Sequence, residues 1–192
     1  SSVTIIEAAE RLLMPEDSDV AAELTESFVA DGINVITGHK VIEFKDSLAL
    51  CEDGQGNMTK VAFDKVLVAT GRVANTDGLG LENIALDLNT NGTVPVNDFL
   101  QSRYPNIYAC GDVAGPFQLT HAAAHQAWYC AVNALFGALK SFRADYRVIP
   151  HGVFTEPEIA RVGINEKEAL TKGIAYETNI FRLDDLDRAI AD

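Results

Sequence analysis

Three places along the 192-residue chain combine residue types and spacings that could do chemistry. Glu7 closes the apolar run Val3–Ile6. A carboxylate at the carboxyl end of a parallel strand can accept hydrogen bonds from both hydroxyls of a ribose and repel a 2′-phosphate. A solvated strand-end acid would leave the same trace in the sequence. In "VATGR", residues 68–72, Gly71 lets the backbone turn sharply and lets a ligand approach it closely. An ordinary strand-to-loop turn reads the same way. The third place is "IYACGDVAGPFQLTHAAAHQAW", residues 107–128. Here Gly111 and Asp112 end an apolar strand, and Thr120 opens a long Ala-rich helix. A carboxylate in such a place needs a partner, and a polyol hydroxyl can serve. The free amides of a helix start favour an anion or an electron-rich carbonyl. The two together suit a flavin; Asp112 capping its own loop is the alternative.

These residues need elements to hold them. Val3–Ile6 reads as a short strand. A helix follows Pro15, with Val20, Ala21, Leu24 and Phe28 on one face and Gly32 as its stop. "INVITG" is the next strand. Residues 39–63 read as a meander of short strands with "DGQG" as its hairpin turn. Lys65–Arg72 is apolar without alternation, which predicts a strand buried on both faces. A loop covers Val73–Thr93, then come a short strand at Thr93–Val96 and a buried strand at Ile107–Cys110. The spacing predicts a helix over Ala122–Phe136, capped by Thr120 and stopped by Gly137, with Trp128 and Tyr129 in the core. "GVFTEPEIARVGI" predicts strands interrupted at Pro157. "NEKEALTKG" predicts a short helix with an Asn165–Glu168 capping box and Gly173 as its stop. "AYETNIFRL" predicts a further strand. The abrupt opening on a strand and the ending at Asp192 point to a piece of a longer chain.

Composition narrows the partners. With 15 Lys and Arg against 28 Asp and Glu, the formal charge is −13. Nucleic acid and anionic membranes both select basic surfaces, so neither is expected. No apolar run reaches the ~20 residues of a membrane span. Cys51, Cys110 and Cys130 are odd in number and lack Cys-x-x-Cys spacing, which predicts reduced thiols and a cytoplasmic setting. His121 and His125 stand four apart on the helix, yet no acidic third ligand lies near, so no metal site is expected. "LDDLDRAIAD" lacks the glycine and spacing of a calcium loop.

"TIIEAAERLL", "VLVATGRVANTDGLGLENI", "NIYACGDVAGPFQLTHAAAHQA" and "GVFTEPEIARVGINEKEA", in this order, resemble the pyridine nucleotide–disulfide oxidoreductases. The resemblance is strongest to the dihydrolipoamide dehydrogenase and mercuric reductase branches, and the tail "RLDDLDRAIAD" leans toward the latter. It implies an α/β chain made of parts of two Rossmann-like domains and the start of an α+β dimerisation domain. Residues 1–71 would be the second part of an NAD-binding domain. Residues 72–143 would be the returning part of an FAD-binding domain, and residues 144–192 the first part of the interface domain.

The resemblance also implies roles. Glu7 matches the ribose-binding acid, which implies NADH over NADPH, and Val41 an apolar contact to adenine. Gly71 and Arg72 match the nicotinamide-side junction. Asp112, held by Gly111, matches the acid on the ribityl chain of FAD. Thr120 matches the position whose amide meets the flavin pyrimidine carbonyl, and His121 helps shape that helix start. The implied parent is a homodimeric flavoprotein that passes hydride from NAD(P)H to FAD and on to a disulfide or metal-ion acceptor. The family's redox cysteine pair, its two Gly-rich turns and its His-Glu base have no match here, so this chain alone is expected to be inactive. The alternative is a non-catalytic binding or dimerisation module on the same fold, without flavin; "EPEIARVGINEKEALTKG" gives it footing, and Asp112 is the residue that discriminates.

Overall fold

In the computed structural model, which describes residues 2–181, the opening run of the chain becomes a β–α–β unit. Strand β1 (Thr4–Ile6) pairs in parallel with β2 (Asn34–Ile36), in register Ile5 to Val35. Helix α1 (Ser18–Ala30) makes the crossover and buries Ala21 and Leu24. Gly32, at φ 81°, turns the chain into β2 as expected. Between β1 and α1 the chain is irregular, so its carbonyls need donors from elsewhere. The Arg11 guanidinium supplies them, reaching the carbonyls of Leu13 at 2.8 Å and Glu16 at 2.7 Å.

The predicted meander follows. Strands β3 (His39–Lys45), β4 (Leu48–Asp53) and β5 (Met58–Ala62) form one antiparallel sheet, with a bulge between Val41 and Glu43. Ala49 and Cys51 of β4 are buried. Asp53 closes the β4–β5 turn, its Oδ1 accepting from Gln55 N at 2.8 Å and Asn57 N at 2.9 Å.

Past Lys65 the expectations and the structure part. Lys65–Arg72 is not a strand, and Leu67 is 90% exposed. An apolar run becomes a central strand only when neighbours take up its amides and carbonyls, and no described segment pairs with it. Thr93–Val96 and Ile107–Cys110 are likewise irregular, although Val94 is buried. Tyr108 makes one isolated bridge to Gln101. Short 3-10 turns occupy Leu81–Ile84 and Gly111–Val113. Helix α2 (Thr120–Phe136) is one turn fraction longer than predicted at its start. Leu119 is its N-cap, without a side-chain capping bond, so Thr120 is the first helical residue and not the cap. Gly137 ends it. Trp128 is 53% exposed and meets Tyr129 and Phe142 edge-on, so it is not in the core.

Strands β6 (Pro150–Val153) and β7 (Ile159–Val162) pair antiparallel around the Pro157 turn, and helix α3 (Glu166–Lys172) follows. Asn165 Oδ1 accepts from Glu168 N at 2.9 Å, and Gly173 sits at φ 65°, as the caps predicted. Residues 174–181 are irregular where a strand was expected, again without a pairing neighbour among the described residues. The acidic tail at 182–192 lies outside the described residues.

The chain forms two compact units. One joins the residues up to Lys65 with those from Pro150 onward; the other is Val66–Ile149. The first unit is closed by an exchange at two helix starts. The Asp17 carboxylate accepts from Glu166 N and Lys167 N, each at 3.2 Å, and Asn165 Nδ2 donates to Pro15 O at 2.8 Å. Arg161 Nε lies 2.9 Å from Glu16 Oε2, and its Nη1 is 3.0 Å from Glu168 Oε1.

Asn165→Ala removes both the α3 cap and the bond to Pro15. A cap of this kind contributes about 1 kcal/mol. We expect faster amide exchange throughout α3 and a loss of about 1–2 kcal/mol in urea unfolding; unchanged exchange in α3 would show that the cap does not hold it.

Candidate functional site

The expected site residues fall into two groups, one in each unit. Glu7 lies directly after β1. Its Oε1 accepts from Ala9 N at 2.8 Å, which fixes the carboxylate at the strand end and leaves Oε2 without a donor among the described residues. Its backbone joins β1 to the meander: Glu7 N donates to Ile36 O at 2.9 Å, and His39 N donates to Glu7 O at 3.1 Å. Val41 stands two residues beyond His39 on β3, half-buried, opposite Cys51. The structure thus puts the acid and the apolar side chain on adjoining pieces of one unit.

The second unit gathers Arg72, Gly111, Asp112 and the start of α2. Gly71 has φ 126°, a conformation that side-chain-bearing residues avoid. Nothing lies within 4 Å of a Cβ built there, so the backbone conformation and not crowding by protein atoms asks for glycine. Arg72 Nη1 donates to Gln118 O, tying this turn to the residues just before α2. Arg72, Asp112, Gly115 and Gln118 line one cavity of about 260 Å³, together with Asn91 and Thr93.

At Gly111 the chain lies close against α2. Its φ is 77°, and a Cβ there would lie 3.3 Å from Ala123 Cβ. It is buried, whereas Asp112 beside it is exposed, which corrects the expectation of a carboxylate enclosed at a strand end. No described residue hydrogen-bonds or ion-pairs with the Asp112 carboxylate, which lines the cavity. Thr120, exposed, opens α2 ahead of the first intrahelical bond, from Ala123 N to Leu119 O at 2.9 Å. Its N–H therefore precedes the helical ladder. His121 follows, exposed. His125 is engaged, a ring nitrogen lying 2.8 Å from Asp145 O. Among the described residues no group of three ligating side chains could hold a metal, and no helix is long and apolar enough to cross a membrane.

One residue that holds this site together was not singled out from the sequence. Gln126 is fully buried on α2. Its Oε1 accepts from Gly111 N at 2.5 Å, and its Nε2 donates to Gly115 O at 2.6 Å and to Tyr146 Oη at 3.0 Å. One amide thus fastens both ends of the Gly111–Gly115 loop. The available signal was position: Ala122, Gln126 and Asn133 share one stripe of α2, and a polar residue on a buried stripe needs a designated partner.

Comparison with known proteins shows the family. A family model described as pyridine nucleotide-disulphide oxidoreductase matches residues 1–127, and the dimerisation-domain model of the same name matches residues 149–192. The chain is 35% identical over 193 residues to a mercuric reductase of Staphylococcus aureus, covering 99% of this chain and 35% of that protein. It is 38% identical over 171 residues to a dihydrolipoyl dehydrogenase of Bacillus subtilis, covering 88% of this chain and 36% of that one. Among solved structures, LpdA of Mycobacterium tuberculosis superposes with a TM-score of 0.83 at 28% identity, over 99% of this chain and 41% of that one. The HOCl-induced flavoprotein disulfide reductase RclA of Escherichia coli gives a TM-score of 0.80 at 28% identity, over 100% of this chain and 43% of that one. The chain therefore spans well under half the length of the relatives it matches.

Replacing Gln126 with Leu keeps the volume and leaves a buried N–H and a buried carbonyl without partners. Each such group costs about 1–3 kcal/mol. We expect Gln126→Leu to destabilise the protein by about 2–4 kcal/mol in denaturant unfolding, with Gln126→Glu milder because one acceptor remains for Gly111. Equal stability of wild type and Gln126→Leu would show that the loop does not depend on the amide.

Proposed function

We propose that this chain, which belongs to the pyridine nucleotide-disulphide oxidoreductase family, is the part of a flavoprotein oxidoreductase that holds FAD and a nicotinamide dinucleotide and begins its dimer interface. In this reading residues 1–71 belong to the NAD-binding domain, 72–143 to the FAD-binding domain and 144–192 to the interface domain of a homodimer. The observation that carries it is the unpartnered Asp112 carboxylate on the wall of the 260 Å³ cavity, beside Arg72, Gly115 and Gln118.

That arrangement fits a flavin. A carboxylate with open acceptors suits the hydroxyls of a ribityl chain, and an exposed helix start with an N–H ahead of its ladder suits a pyrimidine carbonyl. Bound there, the flavin supplies the capacity to take hydride from a reduced nicotinamide and pass electrons to a disulfide or metal-ion acceptor. The work of this chain is placement. Asp112 binds and orients the ribityl hydroxyls. Gly111 and Gln126 hold Asp112 in position. Thr120 offers its N–H to the ring carbonyl, and His121 shapes that helix start. Gly71 and Arg72 form the turn on the nicotinamide side. In the other unit Glu7, with Oε2 open, binds the adenosine ribose and disfavours a 2′-phosphate, and Val41 packs on adenine. The three free thiols among the described residues support a reducing, cytoplasmic setting. The chain by itself, lacking any match to the family's redox cysteine pair, is inactive in this reading.

The test uses the full protein that carries this chain. We expect a visible flavin band that bleaches with NADH. Asp112→Ala should purify with most of its flavin lost while keeping its far-UV circular dichroism. Glu7→Arg should lower kcat/KM for NADH at least tenfold and improve the NADPH-to-NADH ratio, with flavin content unchanged. A colourless wild-type protein would overturn the flavin reading, and unaltered nicotinamide preference in Glu7→Arg would remove the role of Glu7.

A further inference from the structure

Two cysteines stand where α2 packs against residues 109–115. Cys130 stands one turn beyond Gln126, on the face that packs against residues 109–115. Its Sγ donates to Ala109 O at 3.6 Å, the carbonyl that leads into Cys110. That contact sets Cys130 beside Cys110, and the Cys110 sulfur lies near enough to act on the Cys130 thiol. Both thiols are free and half-buried. Cys51, in the other unit, is fully buried, its Sγ 3.8 Å from Ala49 O.

We propose that Cys110 and Cys130 form a two-electron redox pair that a hydroperoxide oxidises to a disulfide, joining the chain just before Gly111 and Asp112 to helix α2. The pair goes beyond the flavin reading and does not depend on it, because both sulfurs and their contact belong to this chain alone. Cys130 Sγ already lies against the Ala109–Cys110 peptide, and Gly111 beside it is packed on α2 at Ala123, so the helix and the loop are in contact where a disulfide of about 2.05 Å would join them.

The chemistry balances. Burial, and after it the neighbouring Cys110 sulfur, push the Cys130 thiol up to about 12, so Cys130 keeps its proton at neutral pH. Cys110 is then the sulfur that meets the oxidant. Its thiolate attacks one oxygen of hydrogen peroxide, the O–O bond breaks, and the departing hydroxide takes a proton to become water. The Cys130 sulfur displaces the oxygen from the Cys110 sulfenic acid, an S–S bond replaces the S–O bond, and the Cys130 proton leaves on that oxygen as a second water. Two thiols lose two electrons and two protons, and one peroxide becomes two waters. A dithiol reverses the change by exchange.

Trypsin makes the test direct, because no Lys or Arg lies between Tyr104 and Lys140. Both cysteines fall in that one peptide, and Cys51 falls in the peptide from Asp46 to Lys60. The full protein carrying this chain is treated with hydrogen peroxide, denatured, alkylated and digested without reductant. The expected 104–140 peptide is unalkylated and lighter by two hydrogens than its reduced form, and it becomes doubly alkylated after dithiothreitol. The Cys51 peptide is alkylated throughout. In Cys130→Ser the same treatment should leave Cys110 trapped by a sulfenic-acid reagent, with no lightened peptide. A wild-type 104–140 peptide that stays doubly alkylated, carries a sulfinic acid beside an alkylated partner, or links to another peptide would each overturn the pair. The wild-type readout decides even if the variant fails to fold.

Discussion

The site in the second unit depends on one side-chain amide. Gln126 offers an acceptor and a donor in a fixed geometry, and the loop Gly111–Gly115 presents the complementary N–H and carbonyl. Both glycines are buried, so neither backbone group has water as an alternative. A neutral amide answers both needs without introducing charge, which a carboxylate or an ammonium could not do. Gly111 must lie close to α2 for the bond to form, and the 3.3 Å clearance to Ala123 leaves little room for a side chain. The Ala-rich sequence of the helix and the glycine in the loop are two expressions of the same close approach. The position of Asp112 is set by this contact one residue away.

The first unit solves a related problem at helix ends. The first amides of α3 lack intrahelical acceptors, and Asp17, itself the N-cap position of α1, supplies oxygens to two of them across about 150 residues of sequence. Asn165 caps α3 with its oxygen and uses its nitrogen on Pro15 O. The exchange explains why Asp17 makes no capping bond to its own helix: its carboxylate is already committed. Arg161, 14% exposed at its side chain, sits against Glu16 and Glu168, so the junction is reinforced by charges that bulk water reaches poorly.

What was legible in the sequence was what local patterns determine. Helix α1, the meander and the caps of α3 follow from periodicity, turn residues and capping chemistry, all within a few residues of where they act. In the unit at 66–149 helix α2 forms as expected, but the expected strands do not. Lys65–Arg72 and Ile107–Cys110 have the composition of buried strands, but a strand is a relation between two segments and composition describes only one. The cap of α2 falls one residue earlier than expected, because Thr120 has a capping side chain whereas the extended backbone that a cap requires falls on Leu119. The grouping of Arg72 with Asp112 was not derivable by spacing, since forty residues separate them and the Gln118 carbonyl brings them together. Gln126 was missed because an Ala-rich helix draws the eye to its apolar residues, while the informative residue was the polar one on the buried stripe.

The irregular backbone of residues 99–115 then raises the question of how buried peptide groups are satisfied without a ladder. Helix α2 answers it. Along one face, Gln126 serves Gly111 and Gly115, Cys130 serves Ala109 O, and Asn133 donates to Phe99 O at 3.1 Å and Phe142 O at 2.8 Å while accepting from Phe142 N at 2.8 Å. These residues recur at spacings of four and three, the period of a helical stripe. In a sheet, a neighbouring strand would provide such partners at every second residue. Here a helix provides them every turn, through side chains whose lengths match the distance to the backbone. That requirement makes α2 both the organiser of the segment and the element that positions Asp112, and it places Cys130 where its sulfur meets the residue that precedes the Gly-Asp turn.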